Sequence, residues 1–161
     1  MALTIETGAG VSGADSYITV TECDGFATSF YGAALSGTTA DKEAALRRAF
    51  RFMDSLPWLG CQVYPYGQAW PRYGLWNLLP TVIPQAVKDA QAIFARAELQ
   101  ENGCLQPQVT LANQKVLVQA DTLQWQVVGG AGVAASRATV TAALDRLKPF
   151  LAGADGQIMR G

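Results

Sequence analysis

Apolar residues recur at helical spacing in four stretches of this chain and alternate strictly in a fifth. Val20, Cys23, Ala27, Phe30 and Tyr31 share one face of a helix predicted at about residues 20–31. Thr19 and Glu22 have capping-box spacing at its start, and Gly32 ends it. Leu46, Ala49, Phe50, Met53 and Leu56 mark a second helix, with Thr38 or Thr39 as cap, Asp41 and Glu43 in the first turn, and Pro57 as its stop. Arg47, Arg48 and Arg51 lie off that stripe. A third helix, about 84–101, opens on Pro84, buries Ile83, Val87, Ala90, Phe94 and Ala97, and ends at Asn102-Gly103. Val116 and Val118, then Leu123, Trp125 and Val127, have the period of two of a β-hairpin at 115–128, turning at Ala120-Asp121-Thr122. After Gly129-Gly130-Ala131-Gly132 comes a fourth helix at about 136–151, with Ser136 as cap and Val140, Ala143, Leu144, Leu147, Phe150 and Leu151 as its stripe.

Between the second and third helices runs a long non-helical stretch, punctuated by Pro57, Pro65, Pro71 and Pro80. It holds Trp58, Trp70 and Trp76 and also Tyr64, Tyr66 and Tyr73. A loop so apolar packs on itself or on a partner. Within Gln68-Ala69-Trp70-Pro71-Arg72, Trp70 is expected to anchor a tight corner, Pro71 to hold the backbone extended, and Arg72 to bind a carbonyl or carboxylate. Trp70 is expected in the core; Tyr73 and Trp76 suit core and interface equally. The predicted fold is mainly α: a small bundle of about four helices with an inserted β-hairpin, a long aromatic and proline-rich loop, and extended terminal arms. Its parts are an arm at 1–16, a helical domain at 17–152 and a tail at 153–161.

Composition narrows the chemistry. Of 161 residues, 50% are apolar and only 16% charged, against roughly 25% in an average soluble protein. Such a surface is often covered by other chains. Net charge is −1, without the basic excess of a general nucleic-acid binder. There is no histidine, which excludes Ser-His-Asp and Cys-His catalysis and His-ligated zinc. Cys23, Cys61 and Cys104 form no CxxC pair and are read as free, buried thiols in a reducing cytosol. The carboxylates Asp41 with Glu43, and Glu98 with Glu101, have the spacing of ordinary helix-surface groups. The glycines at 8–10 and 129–132 lack any phosphate-loop pattern. No catalytic residue, metal site or cofactor is expected. The first residues lack a basic segment and a long apolar one, so no signal peptide is expected.

Gly13-Ala14-Asp15-Ser16-Tyr17, Ala45-Leu46-Arg47-Arg48-Ala49, Gln68-Ala69-Trp70-Pro71-Arg72, and Ile83-Pro84 with Val87-Lys88-Asp89-Ala90 occur in that order. This set resembles the head–tail connector, or adaptor, proteins of tailed phages, over roughly residues 13–98. Some members of that family carry a label likening them to DnaT, a primosomal single-stranded-DNA-binding protein. The resemblance implies a mostly helical structural protein of the virion neck, made in the host cytoplasm. It implies a ring, commonly of twelve copies, docked to the portal protein and meeting a neck or tail-terminator protein below. DNA would pass through the lumen without being read.

Three readings compete: a structural ring component, a single-stranded-DNA-binding protein, and an enzyme using carboxylates. The near-neutral charge and an aromatic loop whose sole cation is Arg72 favour the first over the second. Segments 1–41, 42–98 and 99–161 carry −5, +3 and +1. An acidic first segment suits a neighbour's basic middle, so Asp15, Glu22, Arg47, Arg48 and Arg51 are candidate subunit contacts. Gln157, Ile158, Met159 and Arg160, on a short polar tail, are candidates for docking into the portal.

Overall fold

A computed structural model describes residues 2–64, 67–106, 115–119, 124–127 and 140–153. Within these the fold is mainly helical, with four helices: α1 (Val20–Tyr31), α2 (Thr39–Asp54), α3 (Gln85–Gln100) and α4 (Thr141–Leu147). Two short antiparallel ladders join β1 (Cys61–Gln62) to β2 (Arg72–Tyr73) and β3 (Lys115–Gln119) to β4 (Gln124–Val127).

The first two helices start as their sequences dictate. Thr19 caps α1 and Thr38 caps α2, each in a reciprocal box with Glu22 or Asp41. Hydrogen bonds from the capped turn hold both carboxyls below their usual pKa. Gly32, left-handed at φ 82°, closes α1. α2 stops at Asp54, before the expected Pro57, because Ser55 and Leu56 already turn back to the carbonyls of Phe52 and Met53.

α3 is the centre of the bundle and packs against α1, α2 and α4. Its buried residues run unbroken from Ala90 to Ala95, more than one stripe, because three neighbours surround it. Phe94 meets Phe52 edge to face at 4.8 Å, and Phe50 meets Tyr17 at 4.7 Å. Gln91 lies in the same core. Its amide accepts from the Tyr17 backbone N–H at 2.9 Å and donates to the Ser16 hydroxyl and the Leu46 carbonyl. It thereby ties α2 and α3 to the segment that leads into α1.

Some expectations need correction. α4 is shorter than the predicted 136–151: it ends at Leu147 and tightens into a 3-10 turn, Lys148–Phe150. Pro149 lacks the N–H that a continuing α-helix needs. Ser136 and the glycines at 129–132 lie outside the described residues, as does the predicted hairpin turn. The hairpin itself is present, and its register pairs Val116 with Gln126 and Leu117 with Trp125. Phe30, assigned to the buried face of α1, is 53% exposed. Cys61 is exposed rather than buried; burial does hold for Cys23, whose thiol is pushed up to about 12, and for Cys104.

Residues 4–16, expected to form an extended arm, fold back on the body. Thr4 and Asp15 exchange backbone and side-chain hydrogen bonds, and the Glu6 N–H donates to the Ser16 carbonyl at 2.8 Å. The fully buried Glu6 carboxylate accepts the backbone N–H groups of Gly8, Gly10 and Val11 at 2.6–2.9 Å, and the Gln68 side-chain amide. The glycine-rich run is thus a nest of amides closed around the chain's own anion. Gly8 is required there: its φ is +103°, and a Cβ would stand 1.9 Å from the Thr81 carbonyl oxygen. Glu6→Gln keeps one acceptor oxygen and loses the charge. It is expected to cost about 1–2 kcal/mol in urea unfolding; no loss would mean that water replaces the carboxylate.

Candidate interaction surface

The Trp70 corner is built from both ends of the described chain. The Trp70 ring is fully buried, with Trp58 and Phe150 edge-on at 5.5 and 5.6 Å. Its backbone N–H donates to the Tyr17 hydroxyl at 3.1 Å, whose phenol burial pushes far above its ordinary pKa. The Trp70-Pro71 peptide is cis. Arg72 is buried and donates to three backbone carbonyls: Nε to Leu59 and Nη2 to Gly60 at 2.7 Å, and Nη1 to Ala69 at 3.0 Å. Residues 148–152 close over the loop, where the Leu59 N–H meets the Phe150 carbonyl and the Ala152 N–H meets the Pro57 carbonyl. The Trp70, Pro71 and Arg72 anchor is therefore structural, with Arg72 on carbonyls and on no carboxylate.

The charged candidates meet partners inside the same chain. Arg47 Nε donates to Asp15 at 2.6 Å, and Arg48 Nε donates to Glu98 at 2.6 Å. Glu22 serves the α1 cap, Asp24 takes Lys42 at 2.7 Å and the Leu35 N–H, and Asp41 serves the α2 cap. With Glu6 and Asp15, all five acidic groups of residues 1–41 are engaged within the chain. Of the five proposed contacts Glu22 and Arg51 are exposed, Glu22 within its cap and Arg51 with its side chain 70% accessible and 3.8 Å from Asp54. The tail candidates Gln157, Ile158, Met159 and Arg160 lie outside the described residues.

Glu98 departs most from its reading as a surface carboxylate. It is 1% exposed, and besides Arg48 it accepts the N–H groups of Gly103 and Leu105 at 2.9 and 3.0 Å. It stitches α2 to the turn after α3.

The outer side of the loop carries no charge and several large apolar side chains. Beyond the buried corner the loop presents Tyr73, Trp76 and Leu79, at 51%, 92% and 69% exposure, and also Val82. No charged residue lies between Arg72 and Lys88. A second surface lies on α1. Phe30 stacks on Phe26 at 5.4 Å and meets Tyr31 edge-on at 4.9 Å. Two guanidiniums flank these rings: Arg96 sits 4.0 Å over Tyr31, and Arg146 lies 5.2 Å from Phe30. Arg146 also pairs with Asp89 at 2.6 Å.

Among known proteins, a family model described as "Putative DnaT-like ssDNA binding protein" matches residues 1–161. The chain belongs to this DnaT-like family. No curated protein and no solved structure matches it. The label foreseen for some members is thus found over the whole chain, whereas no comparison points to the head–tail connector family that the motif set resembles. In this DnaT-like chain, the α1 aromatic strip escaped sequence reasoning. Its rings are local to one helix, but its cations come from α3 and α4, 65 and more residues later in the case of Arg96.

Proposed function

We propose that this protein is a non-catalytic structural subunit: a head–tail connector of a tailed phage that assembles as a ring, docks to the portal and continues the DNA channel toward the tail. The reading stands on the uncharged loop surface around Trp76, exposed in the single chain while the ionic groups of residues 1–41 and of α2 are engaged internally. A monomer that presents large apolar side chains in this way gains by being covered. Unlike patches on copies of one chain close into a ring when the rotation between them divides a full turn. The ordered motif set and the low charge content support the same reading. With Asp15, Glu22, Arg47 and Arg48 engaged in-chain, orientation between subunits falls to apolar shape and to Arg51.

Single-stranded-DNA binding is the second reading. The family description and the α1 strip of aromatic rings between Arg96 and Arg146 favour it. Against it stand the net charge of −1 and the ion pairs that hold Lys42, Arg47, Arg48 and Arg146. Strand binders join stacking rings to a basic groove, and their affinity falls steeply with salt.

Two measurements on the purified chain separate the readings. Titration of a labelled oligo-dT at about 0.15 M salt is expected to show no sub-micromolar binding. Electron microscopy of the chain mixed with portal-bearing heads is expected to show added density at the portal. Tight, salt-sensitive strand binding with no portal density would replace the first reading by the second.

A further inference from the structure

We propose that the Trp76 loop of one copy seats on the Phe30–Arg96 face of a second copy. This rests on the assembly reading and names the surfaces that would meet. The loop around Tyr73, Trp76 and Leu79 is aromatic, exposed and free of charge. The α1 face is aromatic too, but it carries the guanidiniums of Arg96 and Arg146. An indole face is negative and attracts a guanidinium; Trp is the strongest such acceptor. Arg96 already has Tyr31 on one side at 4.0 Å, and beside it opens a cleft of about 210 Å³, lined by Tyr31, Ala33, Leu35 and Leu99 among others. A ring stacked from that side would complete a sandwich around the cation.

Position makes the contact intermolecular. The loop runs directly into the start of α3 at Gln85, while Arg96 is eleven residues further on. That separation is about 17 Å along the helix axis, and within its own chain Trp76 is left 92% exposed. The two surfaces are unlike, so a contact between them is heterologous and propagates from copy to copy.

Sedimentation and light scattering across rising concentrations test this with Trp76→Ala and Phe30→Glu in the full chain. The wild type is expected to self-associate as concentration approaches about 1 mM. Each variant alone is expected to remain monomeric, with an unchanged circular-dichroism spectrum and melting temperature. An equimolar mixture of the two is expected to form a dimer and stop there. The Trp76 loop of the Phe30→Glu chain still meets the intact α1 face of the Trp76→Ala chain, and both remaining surfaces are damaged. A wild type that assembles while both variants do so equally well would sink this contact and leave the assembly reading standing. A mixture that stays monomeric, or a Trp76→Ala chain that melts well below the wild type, would show that the surfaces pair otherwise or pack within their own chain. A wild type monomeric throughout would overturn both the contact and unaided ring formation.

Discussion

Trp70→Ala is expected to lower the unfolding free energy by about 3–5 kcal/mol, the range for emptying a buried aromatic site. The upper half of that range applies where neighbours cannot collapse into the space. Here Trp58 is held by its own indole N–H on the Met53 carbonyl at 2.7 Å, and Phe150 sits in a turn fixed by the bond from Leu59. Both flanking rings are therefore tied and a cavity persists. Urea unfolding followed by far-ultraviolet circular dichroism measures the loss. Trp70→Phe, which refills part of the space, is expected to recover more than half of it. A loss below about 1 kcal/mol for the alanine variant would mean that the corner is not anchored by this ring.

Glu98→Ala should be the next most damaging change, at about 2–3 kcal/mol. A fully buried ion pair broken on one side would cost more. Arg48, however, is 36% exposed and recovers water when its partner is lost. The larger part of the expected cost lies with the N–H groups of Gly103 and Leu105, which lose their acceptor. Glu98→Gln retains an acceptor oxygen and is expected to recover about half of the loss. A double-mutant cycle with Arg48→Ala isolates the ion pair, with an expected coupling of about 1 kcal/mol. A coupling near zero would assign the whole effect to the turn after α3.

The helices were legible because each depends on signals a few residues apart. The Thr19–Glu22 and Thr38–Asp41 boxes and Gly32 are local grammar, and the structure places the helix ends where that grammar does. Trp70 and Arg72 were legible for a different reason. A large ring next to proline, with one cation in an otherwise uncharged loop, leaves few ways to bury the ring and satisfy the guanidinium. The error at Glu98 has an equally physical origin. Its helical position, four residues after Phe94, is on the buried stripe; only its charge suggested the surface, and the return of the chain at 103–105 supplies the N–H groups that let a carboxylate sit there. Glu6 was missed for a related reason: its partners at 8–11 are local, but its Gln68 partner arrives from the loop.

Sequence alone determined the helical class, three of the four helix starts to within a residue, the hairpin, the buried corner at Trp70 and the lack of a surplus of positive charge. Those features follow from periodicity, caps and composition, which act over one or two turns of chain. Only the tertiary structure decided which charges face outward, because an ion pair such as Asp15 with Arg47 forms across 32 residues. It also decided that Phe30 lies outside with arginines beside it, and that Trp76 has no cover within the described fold. Burial and charge pairing depend on which segments arrive at the same place, and no short-range pattern encodes that.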